Sequence, residues 1–431
     1  MNFSKVCVIG LGYIGLPTAS ILATHGLRVI GVDVNLQVIK TLRDGKLHIQ
    51  EPGLRTLVHA ALGSGNLIVK DQPEEAEAFI IAVPTPFYDD KKADLRAVMS
   101  AARSVVPYLR QGNLVVLEST SPPRTTIDIL APILSETGLR PGIDYYLAYS
   151  PERVLPGQIL RELIENARVI GGVDVTSAEA GRDLYATFAL GDIVLTDSTT
   201  AEMVKLMENT YRDINIAIAN EFARLADRFG VNIWEAISYA NQHPRINILK
   251  PGPGVGGHCI SVDPWFLVEA APDLTSLIST ARKVNDNQPN YVIEQLCKLS
   301  RGGLLGKRIA VLGLTYKADV DDIRESPAIE VIRLLIQAGA IVKAFDPKRL
   351  DLALPGIDTL KTLKATVEDA EIIMLLVGHN ELIRISPNQM TELSPARIVF
   401  DGVGGWSSEL WKQAGYRIYR LGDGKNKPDE T

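Results

Sequence analysis

The first fifteen residues constrain the fold more than any other stretch of this chain. Residues 5–10 read K-V-C-V-I-G, a short apolar run that suits a strand buried on both faces. Gly10-Leu-Gly12-Tyr-Ile-Gly15 follows at once, and a helical pattern then runs from Leu16 to about His25, closed by Gly26 as a C′ glycine closes a helix. Gly10 permits the tight turn, Gly12 lets the backbone approach a pyrophosphate, and Gly15 lets the helix pack on the strand. Phosphates belong at the start of such a helix, where unpaired N–H groups and the dipole favour anions. The next strand, residues 28–34, carries Asp33 near its end. A carboxylate there accepts from a ribose 2′-hydroxyl and repels a 2′-phosphate, which favours NAD over NADP. The plainer reading is a glycine-rich turn with Asp33 as a solvated strand end.

Further apolar runs at 78–83, 114–118 and 145–148, with helical patterns between them, predict a parallel, doubly wound α/β sheet. The pattern changes near Ser198. Residues 200–229 contain no proline or glycine, and Met203, Leu206, Met207, Ile214, Ala217, Ile218, Phe222 and Leu225 recur at helical spacing. That predicts one long helix, stopped by Gly230, acting as a connector between lobes. A second helical patch covers 233–241, and K-P-G-P-G-V-G-G (250–257) is a shaped loop. K-R-I-A-V-L-G-L (307–314) then repeats the opening strand. Ser326-Pro327 starts a helix that Gly339 stops, and 341–346 mirrors 29–33. This second copy lacks the glycine fingerprint and has a longer first loop, 315–325, so a different ligand is expected there. Strands are expected at 371–377 and 397–401, and a frayed polar tail over 424–431. The organisation expected is two Rossmann-like doubly wound parallel-sheet domains, 1–197 and 303–431, joined by a central helical domain, 198–302.

A chain of 431 residues has room for about three domains at roughly 150 residues each. Lys and Arg number 45 against 51 Asp and Glu, so the chain lacks the basic excess of a nucleic-acid or anionic-membrane surface. No apolar run approaches the length of a membrane span. Residues 1–5 carry no secretion-signal features. The three cysteines (Cys7, Cys259, Cys297) form no C-x-x-C, and the six histidines no H-x-x-x-H. Neither a disulfide framework nor a metal site is expected, and a cytoplasmic location is.

Two features carry chemistry. Cys259 ends the glycine loop just ahead of Asp263-Pro264, which reads as the N-cap and first residue of a helix. A thiol there is either a nucleophile with a lowered pKa or a small apolar filler. Lys205, Asn209 and Arg212 share one face of the long helix. They are either a solvated face or partners for an anionic ligand.

These stretches together resemble the nucleotide-sugar 6-dehydrogenases, the family of UDP-glucose, GDP-mannose and UDP-N-acetylhexosamine dehydrogenases. The resemblance runs from residue 3 to about 406. It rests on G-L-G-Y-I-G-L-P (10–17), V-P-T-P (83–86), E-S-T-S-P (118–122), S-P-E-R-V-L-P-G (150–157), A-E-M-V-K-L-M-E-N (201–209), P-G-P-G-V-G-G-H-C-I-S-V-D-P (251–264) and R-E-S-P-A (324–328). Within the family, P-E-R-V-L-P-G, H-P-R-I-N-I-L (243–249) and V-G-G-H-C are most similar to the bacterial UDP-N-acetyl-D-mannosamine branch.

The resemblance implies an NAD domain, a central helical region that forms a homodimer, and a C-terminal UDP-binding domain. It makes Cys259 the catalytic cysteine and puts Lys205, Asn209 and Asp263 around the reacting C6 oxygen. Glu152 becomes the acid that helps water attack a thioester, and Thr120 a neighbour of the nicotinamide and that water. Gly10, Gly12, Tyr13, Ile14, Gly15, Asp33, Thr85 and Arg324 are the implied cofactor contacts. Arg153, Val154, Arg212, His243, Arg245 and Gly254 join Lys205 and Asn209 as contacts to the UDP-sugar. Tyr316, Lys317 and Arg324 are implied to reach an active site, that of the partner subunit.

The implied activity is NAD-dependent four-electron oxidation of UDP-N-acetyl-D-mannosamine at C6, through a cysteine-linked thiohemiacetal and thioester. The same reaction on UDP-N-acetylglucosamine, UDP-glucose or another UDP-sugar is the alternative. A two-electron hydroxyacid-type dehydrogenase and a non-catalytic nucleotide-sugar or NAD binder stand further off. One position departs from the family pattern: Asp401-Gly402 is followed by Val403 where relatives carry a basic residue, which puts one contact to the sugar nucleotide in doubt.

Overall fold

The computed structural model describes residues 1–426, which form two compact units. The first comprises Met1–Glu208 and Trp265–Leu274; the second comprises Asn209–Pro264 and the chain from Thr275 onward.

The first unit is built on an eight-stranded sheet. In chain order its strands are β1 (Lys5–Ile9), β2 (Arg28–Val32), β3 (Leu67–Lys70), β4 (Ala78–Ile81), β5 (Leu114–Leu117), β6 (Tyr146–Tyr149), β7 (Arg168–Gly172) and β8 (Ile193–Asp197). The spatial order is β3-β2-β1-β4-β5-β6-β7-β8. The first six strands have the order of a dinucleotide-binding sheet, and the winding reverses between β1 and β4. Those six are parallel because helical crossovers join them. β7 departs from the expectation of a purely parallel sheet: it runs antiparallel to β6, with Ala148 opposite Gly172 and Tyr149 opposite Gly171. β4 and β5 are buried at every position, since helices cover both faces of the sheet. One face packs Val6, Val8, Leu16, Leu22 and Ile80. The other packs Cys7, Phe79, Ile81, Val115 and Leu147.

The second unit holds a six-stranded sheet. Its strands are β9 (Arg308–Leu312), β10 (Ile341–Phe345), β11 (Asp358–Thr359), β12 (Ile372–Leu375), β13 (Ile398–Asp401) and β14 (Arg417–Arg420). Their order, β11-β10-β9-β12-β13-β14, repeats the dinucleotide pattern, and every pairing is parallel. The helical region expected over 198–302 is shared between the units. Its main element is the 32-residue helix Ser198–Phe229, about 48 Å long at 1.5 Å per residue. It runs through the boundary of the first unit at Glu208 and stops at Gly230, which adopts a φ of 69°. At the far end, Gly424–Asn426 is not frayed: it forms a 3₁₀ turn, and the Gly424 N–H donates to the Val231 carbonyl at 2.8 Å. The rest of the expected tail, 427–431, lies outside the described residues.

Candidate active site

The glycine turn of the first unit fits an NAD pyrophosphate. A Cβ on Gly10 would lie 2.4 Å from the Ala82 carbonyl oxygen, and one on Gly15 would lie 1.8 Å from the Gly10 oxygen. Both glycines are therefore required by the protein's own packing. Gly12 is different. A Cβ there meets no atom within 4 Å, so the absent side chain leaves open space in front of the helix Gly15–Thr24. Ile14 precedes that helix without a side-chain cap, and its first turn contains no acid, so the helix start suits an anion. Tyr13 is half-buried in the same turn. Asp33 accepts from the Leu11 N–H at 3.0 Å and the Asn35 N–H at 2.8 Å. A carboxylate has about four acceptor positions, so lone pairs remain for ribose hydroxyls.

A second group in this unit forms at the carboxyl ends of β4, β5 and β6. The Thr85 hydroxyl donates to the Thr120 carbonyl at 2.6 Å, and Ser119 Oγ accepts from the Val83 N–H at 2.9 Å. Those bonds hold the V-P-T-P and E-S-T-S-P loops together. Glu202, fully buried on the long helix, accepts from the Arg124 N–H at 2.5 Å, the Thr126 N–H at 2.8 Å and Thr126 Oγ1 at 2.7 Å. One turn further on, Lys205 is nearly buried and donates from Nζ to the Glu152 carbonyl at 2.5 Å. The Glu152 carboxylate accepts from the Arg153 N–H at 2.6 Å. Arg153 is expected to contact the sugar nucleotide. Here its guanidinium is engaged by the chain: Nε lies 3.0 Å and Nη2 2.5 Å from the Glu208 carboxylate, and Nη1 donates to the Ala167 carbonyl at 2.9 Å. Val154 is half-buried beside it and packs against the first hydrophobic cluster. Lys205 and Glu208 thus tie P-E-R-V to the long helix at two points.

The second unit gathers the other expected residues. Asn209 Nδ2 donates to Asp263 Oδ2 at 2.6 Å. Asp263 is the first residue of the helix Asp263–Ala270 rather than its N-cap, and its carboxylate serves Asn209. Its N–H reaches the Cys259 carbonyl at 2.8 Å, so the turn carrying Cys259 flows directly into that helix. The preceding glycines are shaped by the loop after β9. A Cβ on Gly256 would fall 2.4 Å from the Glu325 oxygen, and one on Gly257 would fall 2.8 Å from the Tyr316 ring. Gly257 N–H donates to the Arg324 carbonyl at 3.0 Å. Tyr316 therefore packs under the cysteine loop of its own chain. The reason is steric: the glycines leave the ring's space free. Burial pushes the Tyr316 phenol up to about 12, with Asp322 and Cys259 adding to the rise. Arg324 clamps Asp322 (Nη2–Oδ2 2.6 Å), and Lys317 is half-buried beside Tyr316. Gly254, at φ 144°, abuts Pro327.

Arg212, His243 and Arg245 are exposed. The stripe from Lys205 through Asn209 to Arg212 thus grades from buried to exposed and is no ordinary solvated face. The loop with His243 and Arg245 is pinned to the long helix by asparagines: Asn215 Nδ2 donates to the Asn247 carbonyl at 2.9 Å, and Asn220 Oδ1 accepts from the Gly252 N–H at 3.0 Å. Val403 packs against the second unit's core, so the place expected to be basic is apolar. The second dinucleotide-like turn is closed. Asp346, the counterpart of Asp33, is buried and accepts from the Leu314 N–H at 2.6 Å, and His379 Nε2 lies 3.0 Å from it.

Sequence reasoning passed over Glu202, Glu208, Asn215 and Asn220. A charged residue at i−3 from Lys205 on an apolar helix face is the one local signal that singles out Glu202.

Comparison with known proteins identifies the family. The models of the UDP-glucose/GDP-mannose dehydrogenase family match in order: its NAD binding domain over residues 4–189, its central domain over 199–287 and its UDP binding domain over 310–407. The chain belongs to the UDP-glucose/GDP-mannose dehydrogenase family, and is an NAD-dependent oxidoreductase of nucleotide sugars. It is 49% identical to the UDP-N-acetyl-D-mannosamine dehydrogenase of Methanococcus maripaludis, over 98% of each chain. It is 47% identical to the NDP-N-acetyl-D-galactosaminuronic acid dehydrogenase of Ralstonia nicotianae, over 95% of this chain and 98% of that one. A solved UDP-N-acetyl-D-mannosamine dehydrogenase from Pyrococcus horikoshii superposes with a TM-score of 0.91 at 39% identity, covering 98% of this chain and all of that one. Among the described residues no helix is long and apolar enough to cross a membrane.

Proposed function

We propose that this enzyme oxidises C6 of UDP-N-acetyl-D-mannosamine from alcohol to carboxylate, using Cys259 as a covalent anchor. The observation that carries the reading is the Asn209–Asp263 bond of 2.6 Å on the turn that holds Cys259. An amide, a carboxylate and a thiol joined by one turn serve covalent oxidation, and a two-electron alcohol dehydrogenase has no use for the thiol. The balance is R–CH₂OH + 2 NAD⁺ + H₂O → R–COO⁻ + 2 NADH + 3 H⁺. Bound NAD supplies a hydride acceptor for each of the two oxidations. The Cys259 thiolate attacks the C6 aldehyde, forms a C–S bond and keeps the intermediate from escaping as a thiohemiacetal. The second oxidation leaves a thioester on the same sulfur. Glu152 then takes a proton from the attacking water, and the C–S bond breaks to return the thiolate. Lys205 and Asn209 supply cationic and amide N–H groups for the charge that develops on the C6 oxygen. Asp263, with a water, takes the alcohol proton.

The mannosamine assignment is supported by relatives of that name at 49% and 50% identity over nearly the whole chain. The galactosaminuronic acid relative at 47% makes the galacto-configured sugar the second reading. The test is a panel of UDP-sugars with NAD, counting NADH per sugar consumed. The reading expects two NADH per UDP-N-acetylmannosamine. A ratio near one, or better turnover of another sugar, overturns it. Cys259→Ala is expected to abolish acid formation; full turnover to the uronate in that variant removes the covalent step.

The same reading makes the enzyme a cytoplasmic homodimer. Tyr211, Ile218, Phe222, Leu225 and Phe229 form an exposed apolar stripe at spacings of seven, four, three and four along the long helix, which suits a second copy of this helix. Phe222→Glu with Leu225→Glu is expected to give a monomer by analytical ultracentrifugation, and an unchanged sedimentation coefficient rejects that interface.

A further inference from the structure

Next to Glu152, inside the first unit, lies a buried charge cluster that neither cofactor binding nor the covalent chemistry uses. Glu118, directly after β5, has a side chain with no exposure, and Arg168, which opens β7, has one that is 6% exposed. The Arg168 guanidinium stands between two carboxylates, with Nη1 3.8 Å from Glu118 Oε1 and Nη2 3.7 Å from Glu152 Oε2. Nη1 also donates to Ser150 Oγ at 3.1 Å, and the plane lies 4.4 Å from the centre of the Tyr185 ring. The Tyr185 hydroxyl donates to Glu118 Oε1 at 2.6 Å. The outer oxygens of both acids, Glu118 Oε2 and Glu152 Oε2, are buried without a hydrogen bond. Lys205 adds a further charge beside this cluster, bound through Nζ to the Glu152 carbonyl.

One guanidinium cannot fully neutralise two anions in an enclosed site, and an uncompensated buried carboxylate is strongly disfavoured. Glu152 Oε2 is held to Arg168 by charge at 3.7 Å rather than by a hydrogen bond, so its hold depends on what else claims that guanidinium. The competing claimant is Glu118. We propose that Glu118 is a positioning residue for Glu152, acting through Arg168: when Glu118 carries a proton, Arg168 serves Glu152 alone and keeps that carboxylate aimed for hydrolysis. This rests on the reading of Glu152 as the residue that activates water. Burial pushes the Glu118 carboxyl up to about 7, against the opposing pull of Arg168 and with the Glu152 charge adding to the rise. The exchange therefore falls near neutral pH. As pH rises through about 7, Glu118 ionises and Arg168 is shared.

The test compares kcat against pH, from 5.5 to 9, for the wild type, Glu118→Gln and Tyr185→Phe, on the UDP-sugar that the enzyme turns over. Glutamine keeps the shape and stays neutral, so it mimics protonated Glu118. The expected result is agreement with the wild type within about twofold below pH 6.5, divergence above pH 7.5, and loss of the ionisation near 7. Tyr185→Phe removes a hydrogen bond that favours the Glu118 anion, so the inflection is expected to move to higher pH. It also keeps the question open to test should Glu118→Gln fold poorly. A constant offset at every pH, superposition at every pH, or an unmoved inflection in Tyr185→Phe overturns the proposal. The role of Glu152 is read separately, by intact-mass analysis of quenched Glu152→Gln, which traps an adduct on Cys259 if that role is right. Absence of the adduct rejects the Glu152 reading whatever the Glu118 profiles show.

Discussion

Two glycines of the same turn are expected to respond to the same substitution in opposite ways. Gly15→Ala places a Cβ 1.8 Å from the Gly10 carbonyl oxygen, 3.0 Å from its carbon and 3.3 Å from the Ala82 Cβ. Backbone cannot absorb that overlap without moving the start of the helix Gly15–Thr24 off β1. Overpacking of this kind is destabilising by about 3 kcal/mol. For a unit of this size that lowers Tm by roughly 6–12 °C. Gly12→Ala meets no atom within 4 Å. Its effect on the fold is neutral or a gain of about 0.5 kcal/mol, because alanine restricts the unfolded chain. The new methyl instead fills the space where the pyrophosphate approaches, and NADH affinity is expected to fall at least about tenfold, or ~1.4 kcal/mol. Calorimetry of the ligand-free variants reads the first effect, and titration of NADH fluorescence reads the second. A Gly12→Ala protein that melts as low as Gly15→Ala, or that binds NADH like the wild type, refutes the reasoning.

Other outcomes follow from the same geometry. Asp33→Asn removes the negative charge that faces the ribose while keeping an acceptor for a backbone N–H, so KM for NAD is expected to rise and NADP turnover to increase; an unchanged NAD to NADP preference contradicts this. Burial pushes Cys7 up to about 12 and raises Cys297 as well, so alkylation at pH 7.5 is expected at Cys259 first, as peptide mapping against time will show. Glu118, at about 7 in the folded protein against 4.5 for an ordinary glutamate, retains a proton that the unfolded chain releases. Its share of stability is therefore complete below pH 4.5 and lost as pH rises to about 7, a change of about 3 kcal/mol at most. Urea melts across that window are expected to flatten in Glu118→Gln.

Much of the fold was legible because its signals are local. A run such as K-V-C-V-I-G followed by three spaced glycines needs only neighbouring residues to declare a strand, a turn and a helix. The same holds for the long helix, whose stop at Gly230 was readable from a 3.6-residue pattern and one glycine. Of the strands that were passed over, β3, β8, β11 and β14 are edge strands, and β7 lies inside the sheet but pairs antiparallel with β6. β8 is buried at no position but Ile193, Leu195 and Thr196 in part, and so carries no strong alternation.

The site divides in the same way. Sequence alone determined which groups are present: a dinucleotide turn with Asp33, a thiol after a glycine loop, and a Lys–Asn pair one turn apart on a helix. Tertiary structure decided what each group does with its hydrogen bonds. It gave Asp263 to Asn209 rather than to a helix cap, engaged Arg153 with Glu208 fifty-five residues away, closed the second turn by setting His379 on Asp346, and placed Arg168 between Glu118 and Glu152. The physical reason is that a helix or a tight turn is set by torsions and by contacts within about four residues. A buried carboxylate instead takes its partner from whichever element the folded chain brings against it, and its charge state is fixed only there.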